Sequence, residues 1–179
     1  VFLRLGQSAG PTVSATDLPG YLIEAVVATE DRRFYHHIGV DPIGMARALL
    51  VNLREGHVVA GGSTITQQLA KNLYLEPSKT VLRKVKEIAV TMRLERELEK
   101  HRILELYLNV VEWGRGVYGA EAAARHYYGK SAARLTIEEA SWLAAILPSP
   151  LRYDKNRDSE YARKRGEWVA GFVRKRMEN

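Results

Sequence analysis

Two acids stand side by side in ATEDRRFYHHIG, Glu30 and Asp31, where a helical apolar pattern breaks off. Acids at a helix C-terminus oppose the macrodipole, and a lysine there would be the stabilising choice. A local conflict of this kind points to function, although a surface acid pair neutralised by Arg32 and Arg33 satisfies the same pattern. A third acid, Glu87, lies in SKTVLRKVKEIAV. At about 100° per residue, Lys79, Arg83, Lys86 and Glu87 share one helical face. Three cations around one carboxylate suit a diphosphate with an acid held beside it, and Lys71 can join them. Taken alone, the simpler reading is a solvated face with an Arg83–Glu87 pair at i,i+4, worth about 0.3–0.5 kcal/mol.

Between these acids runs GGSTITQQLAKN, from Gly61. Its hydroxyls and amides (Ser63, Thr64, Thr66, Gln67 and Gln68) are neither core residues nor an ordinary charged surface. Such a lining suits hydrogen bonds to a sugar. The glycines of EWGRGVYG, at 114, 116 and 119, let backbone approach a ligand or simply close a tight turn. The adjacent His36 and His37 are poorly spaced to ligate one metal. Taken together, these segments describe a cleft with one acid at a helix end, a second on a basic helix and a polar lining. Two carboxylates across a cleft suit chemistry at an anomeric carbon.

The elements that position these residues read as helices, because nearly all the apolar spacing is helical. Asp17 and Pro19 open a helix that runs to about Asp31. Asp41 and Pro42 open a second, with Ile43, Ala46, Leu49, Leu50 and Leu53 on one face. A third begins near Ser63 or Thr64 and ends before Pro77. The fourth, about 78–98, carries an apolar stripe of Val81, Leu82, Val85, Ile88, Ala89 and Met92, expected to face the core. HRILELYLNVV and AEAAARHYYG follow, the latter stopped by Gly129. Thr136 opens a capping box with TIEE, Pro148 ends that helix, SPLRYDKNRDS is a loop, and a basic helix closes the chain. The expectation is one all-α domain over residues 1–179.

The bulk composition limits the possibilities. A chain of 179 residues with 46% hydrophobic residues can bury a core. The absence of cysteine excludes disulfides and thiolate metal sites. Lys and Arg number 27 against 21 acids, a net charge of +6, which favours an anionic partner: nucleic acid, an acidic membrane surface or a phosphorylated substrate. No apolar run approaches the ~18 residues of a membrane span. The chain opens at VFLRLGQSAG without a methionine, so an upstream anchor is expected to be missing from it.

Five segments, in order, carry a resemblance: EDRRFYHHIG from Glu30, GGSTITQQLAKN from Gly61, RKVKE from Arg83, HRILELYLN from His101 and GVYGAEAAARHYYGK from Gly116. The chain resembles the bacterial peptidoglycan glycosyltransferases (glycosyltransferase family 51), the glycan-polymerising domains of class A penicillin-binding proteins and the monofunctional transglycosylases. The matches span about residues 18–150, and GGSTITQQ followed by RKVKE is highly specific. The resemblance implies a lysozyme-like all-α fold, with a larger lobe and a small membrane-facing jaw over about residues 41–60. It implies polymerisation of lipid II: the GlcNAc 4-hydroxyl of one molecule attacks the MurNAc anomeric carbon of a glycan held on undecaprenyl diphosphate, with inversion to a β-1,4 bond.

By position, the resemblance makes Glu30 the general base and Glu87 the second acid near the leaving diphosphate. Lys71, Lys79, Arg83 and Lys86 become its basic neighbours, and Arg47 a jaw arginine near a lipid-linked phosphate. Asp31, Ser63, Gln67 and Gln68 are expected at the substrate. Mg²⁺ or Mn²⁺ at the diphosphate is a further expectation, with Glu87 its candidate ligand, and no organic cofactor is expected. The expected partners are lipid II, nascent glycan, the membrane surface and other cell-wall synthesis proteins, with no nucleic acid. The expected location is the extracytoplasmic, periplasmic face of the cytoplasmic membrane. The chain lacks Ser-x-x-Lys and Lys-Thr-Gly, so no transpeptidase domain is expected. Two alternatives remain: a lysozyme-like glycan hydrolase, which has no use for the basic helix, and a non-catalytic basic helical binding module, which leaves the acids and glycines unexplained.

Overall fold

A computed structural model of the chain describes residues 11–57, 61–74 and 80–178. Nine α-helices, three short 3-10 helices and one two-stranded sheet make up the regular structure of these residues, as the all-α reading requires. They are α1 (Gly20–Glu30), α2 (Pro42–Glu55), α3 (Ile65–Tyr74), α4 (Val81–Glu97), α5 (Lys100–Val110), α6 (Ala120–Tyr128), α7 (Ile137–Ile146), α8 (Pro150–Asp154) and α9 (Glu160–Met177). The expected glycine loop forms antiparallel β1 (Glu112–Gly114) and β2 (Val117–Tyr118). The expected 149–159 loop contains the short α8, started by Pro150 at its first turn.

The core lies where α1, α7 and α9 pack together, with α3 and α5 alongside. Leu22, Ala25 and Val26 of α1, Leu143, Ala144 and Ile146 of α7, and Val169 and Val173 of α9 are fully buried. α5 adds Ile103, Tyr107 and Leu108, and Trp113 of β1 closes that end. The capping box at Thr136 forms as expected: its hydroxyl accepts from the Glu139 amide while Glu139 reaches back to the Thr136 amide. Gly129 ends α6 in the left-handed conformation. Gly119 also has positive φ, and a β-carbon there would lie 2.9 Å from the Asn109 carbonyl oxygen. Glycine is therefore needed where β2 turns into α6.

Helix α4 corrects the expectation about its buried face. Val81, Leu82, Val85, Ile88 and Met92 are exposed, and Glu87, Thr91 and Leu94 are buried. The helix turns its i, i+4, i+7 polar-to-apolar line inward. Two ties fix this rotation. Thr66 of α3 donates to Glu95 at 2.5 Å, and Lys100 pairs with the same carboxylate at 2.8 Å. Gly39, at φ +88, sits so close to α4 that a β-carbon would lie 2.6 Å from Thr91 Cγ2. Helix α2 behaves likewise: Ala48 is its only buried residue, while Ile43, Met45, Leu49, Leu50 and Leu53 face outward.

Candidate active site

Glu30 is the last residue of α1, and the helix is held by a continuous apolar face of Leu22, Ala25, Val26 and Val27. Its carboxyl is buried and asymmetrically partnered. Oε2 accepts from Gln68 Nε2 at 2.7 Å, whereas Oε1 is buried with no hydrogen-bond partner. Burial pushes the Glu30 pKa up; the Gln68 bond and the positive charges of Arg165 and Lys71 offset part of this, and Asp31 adds to the rise. Gln68 is itself fixed from behind by Tyr107, whose hydroxyl donates to Gln68 Oε1 at 3.0 Å.

The polar run ahead of α3 is largely satisfied within the protein. Thr64 and Gln67 form a second capping box: Gln67 Oε1 accepts from the Thr64 amide at 3.0 Å, and Thr64 Oγ1 accepts from the Gln67 amide at 3.2 Å. The Thr64 hydroxyl also donates to the Gly39 carbonyl at 2.6 Å. Asp31 receives the Ile65 amide at 3.1 Å and His37 Nε2 at 3.0 Å. His37 Nδ1 accepts from the Gly39 amide, so Nε2 carries the proton and donates to Asp31. Asp31 is thus the joint between the end of α1, the turn after it and the start of α3.

Glu30 opens onto two connected spaces. The larger, about 860 Å³, is lined by Ser63, Gln67, Gln68, Lys71, Arg83, Lys84, Glu87, Glu112 and Arg165 among others. The smaller, about 160 Å³, runs toward α2 and is lined by Arg32, Arg33, Asp41 and Arg47. Thr29, Glu30, Gly61 and Ser63 border both. In the larger space Glu87 is buried and held from two sides. Arg83 Nη1 donates to one of its oxygens at 2.7 Å, and Lys84 Nζ pairs with the other. Arg83 Nε is buried without a partner.

This donor set does not fit a metal ion held by Glu87. Each of its oxygens already faces a cation, and a divalent ion would have to displace Arg83 or Lys84. Among the described residues no group of three His, Asp or Glu side chains could hold a metal.

A family model described as transglycosylase matches residues 2–174. The chain belongs to the transglycosylase family. It is 53% identical over 140 residues to the biosynthetic peptidoglycan transglycosylase of Dechloromonas aromatica, covering 78% of this chain and 61% of that protein. The protein of the same name from Thiobacillus denitrificans is 51% identical over 144 residues, 80% of this chain and 62% of its own. Penicillin-binding protein 1A of Aquifex aeolicus is 50% identical over 142 residues, 79% of this chain but 20% of its own. The chain spans about three fifths of the length of the transglycosylases it matches.

In this transglycosylase fold, Glu30, Ser63, Gln67, Gln68, Lys71, Arg83 and Glu87 gather in the larger space, and Arg47 lines the smaller. Lys86 does not join them: it is exposed and absent from the lining, and Lys84 takes the place expected for it. The cause is rotational, since an inward Glu87 brings i−3 and i−4 toward the cleft and leaves i−1 outside. Lys79 lies outside the described residues, as do residues 58–60 of the expected jaw. Asp31 borders the smaller space, but both of its oxygens are engaged by His37, so its clearest work is to position Glu30. Sequence reading missed Lys84, Arg165, Glu112 and Tyr107. Lys84 was recoverable from its i,i+3 spacing to Glu87; Arg165 and Tyr107 reach Glu30 only through the packing of α9 and α5.

Proposed function

We propose that this chain polymerises lipid II into glycan strands, using Glu30 as the base and the Arg83–Lys84–Glu87 cluster at the departing diphosphate. The observation that carries the reading is the contrast across one cleft between Glu30, whose carboxyl has a single neutral amide partner, and Glu87, which holds a cation on each oxygen. The first suits proton uptake, and the second fixes positive charge where an anionic leaving group can meet it.

The step follows from these groups. The acceptor sugar 4-hydroxyl lies against Glu30, and its O–H bond breaks as its oxygen bonds to the donor's anomeric carbon. The proton passes to Glu30, whose pKa is raised by burial, which makes it a stronger base than an exposed carboxylate. The bond from the anomeric carbon to the diphosphate breaks on the opposite face, and the diphosphate leaves with the electron pair. Arg83, Lys84 and Lys71 meet the charge that grows on it, and fixed charges in a partly buried cleft are worth more than in water. Glu87 aligns Arg83 and Lys84 rather than reacting. Neutralisation of the diphosphate by these side chains replaces the expected Mg²⁺ or Mn²⁺.

A membrane surface accounts for the outward faces of α2 and α4. Ten of the sixteen large exposed hydrophobics among the described residues lie on these two helices. Ile38, just before α2 begins, lines one surface hollow with Ala89 and Met92 of α4. Burying a side chain of this size gives about 1.5–3 kcal/mol, so leaving ten in water forgoes stabilisation that a lipid interface would restore. The described helices include none long and apolar enough to cross a membrane, so this contact is with the interface. The jaw then comprises α2 together with the outer face of α4. We place the reaction on the extracytoplasmic face of the cytoplasmic membrane, where lipid II is presented.

The test is turnover of lipid II by the purified chain in detergent, with Glu30→Gln alongside. Polymer from the parent and none from the variant supports the reading; polymer from both rejects Glu30 as the base.

A further inference from the structure

We propose that Glu112 binds a sugar of the lengthening glycan strand at the β1 end of the larger space, and so makes a long donor a better substrate than a short one. The proposal rests on the polymerase reading of the cleft. It adds a residue that governs how firmly the product is retained between cycles.

Three acids line the larger space, and Glu112 differs from the other two. Glu30 stands where the two spaces meet, and Glu87 has a cation on each oxygen. Glu112 opens β1, and its partners are neutral. Its Oε1 accepts from the Gly116 amide at 3.1 Å, and Tyr118, its register partner on β2, hydrogen-bonds to the same carboxylate. The hairpin therefore fixes the side chain without neutralising it. A carboxylate offers about four acceptor positions, so these two bonds leave capacity for a ligand. In a cleft, that capacity suits the hydroxyls and the N-acetyl N–H of a sugar. The neighbouring surface suits one as well: Val111, Leu147, Pro148 and Pro150 supply apolar area for ring faces, and Ser149 a further hydroxyl.

The location of Glu112 selects the donor's glycan among the parts of the substrates. The two spaces have different walls beyond Glu30. α2 lines only the smaller, whereas β1 and the turn from α7 to α8 line only the larger. An acceptor brings a disaccharide followed by its own diphosphate and lipid. The lipid belongs with the outward apolar faces of α2 and α4, and a diphosphate is repelled by a carboxylate without a counter-ion. The donor's departing diphosphate is already met by Lys71, Arg83 and Lys84, and Arg165 lends its charge to Glu30. The glycan of the donor, which carries no phosphate along its length, is the part left for the Glu112 end.

The experiment is Glu112→Gln, which keeps an oxygen for the Gly116 amide and removes the charge. Turnover is measured with donors of two and of four sugars, and binding of chitotetraose, a β-1,4-linked N-acetylated glycan, is measured by calorimetry. KM should rise about tenfold for the longer donor, as loss of one hydrogen bond to a charged group implies, and clearly less for the shorter, with kcat little changed. Product strands should shorten, and the chitotetraose Kd should rise by a similar factor. Ser149→Ala is a second variant outside the hairpin, since the Ser149 side chain does not cap α8; it should show a smaller effect with the same dependence on donor length. A parent that binds no chitotetraose, an unchanged Kd in Glu112→Gln, or equal KM changes for both donors would overturn the proposal, the last by showing that Glu112 serves the hairpin alone. Normal turnover by Glu30→Gln would overturn the base reading itself; an inactive Glu30→Gln beside a Glu112→Gln enzyme with parental strand lengths overturns the Glu112 proposal alone.

Discussion

Two carboxylates that face the cleft, Glu30 partly buried and Glu87 fully so, are partnered in opposite ways. Glu30 has one neutral amide donor, one bare oxygen and a pKa raised by burial. Glu87 has a cation on each oxygen. One acid is arranged to exchange a proton and the other to hold positive charge in place. Desolvation without a counter-ion makes a base; desolvation with two makes a scaffold. The same residue type therefore performs two tasks in one cleft, and the environment alone distinguishes them.

The comparison can be broken most sharply at Glu30. Glu30→Gln should lower kcat by about 10²–10⁴, the usual contribution of a general base, while the same change raises thermal stability. The sign follows from the raised pKa: the folded state binds the Glu30 proton more tightly than the unfolded state does. Stability from this group is present below the ordinary value of 4.5 and is lost as pH rises through the folded pKa. A neutral glutamine removes that loss, so a thermal melt at neutral pH should show a higher midpoint than the parent. A midpoint below the parent's would contradict the burial argument.

At the other acid the dominant effect should be on stability. Arg83→Met leaves a buried carboxylate with only the half-exposed Lys84, and breaking a buried pair typically costs about 3–5 kcal/mol. Denaturant unfolding should show a much smaller loss for Lys84→Met; equal losses would mean that the two cations are interchangeable. The pH profile should come next in size. Activity should fall as pH drops through the raised Glu30 pKa, above the ordinary carboxylate range, and Arg165→Gln or Lys71→Gln should move that limb higher by removing an offsetting charge. If the limb stays in place, Glu30 is not the titrating base.

The smallest effects should come from the outer face of α4. Leu82→Ser and Val85→Ser change exposed side chains, so melting should stay within about 0.5 kcal/mol of the parent. Binding to anionic vesicles, read by co-sedimentation, should weaken. Unchanged vesicle binding would remove α4 from the membrane face. Chelation of divalent cations should leave glycan synthesis running, in keeping with the cationic partners of Glu87; a full stop would show that a cation works there despite them.

Much of this was legible along the chain. Helix starts at Pro42 and Thr136 and the stop at Gly129 are local events, fixed by a missing amide, a capping hydroxyl and a left-handed φ. Glu30, Gln68, Lys71, Arg83 and Glu87 announced themselves by type and spacing. The buried face of α4 was not legible, because a hydrophobic stripe marks the core only when the helix has no other apolar surroundings to face. Thr91 and Leu94 go inward with Glu87 because Gly39, Thr66 and Lys100, all distant in sequence or on other elements, grip that side. The same ties explain why Lys84 and not Lys86 reaches the cleft.

The sequence by itself determined the helices, their ends, the acids and the polar run, since each depends on interactions within a few residues. Tertiary structure alone decided that most of that run bonds to the protein, that Tyr107 stands behind Gln68, and that Arg165 looks across at Glu30. Those contacts join residues tens of positions apart. A carboxylate's character depends on how many donors and how much water surround it, and only the packed chain fixes both.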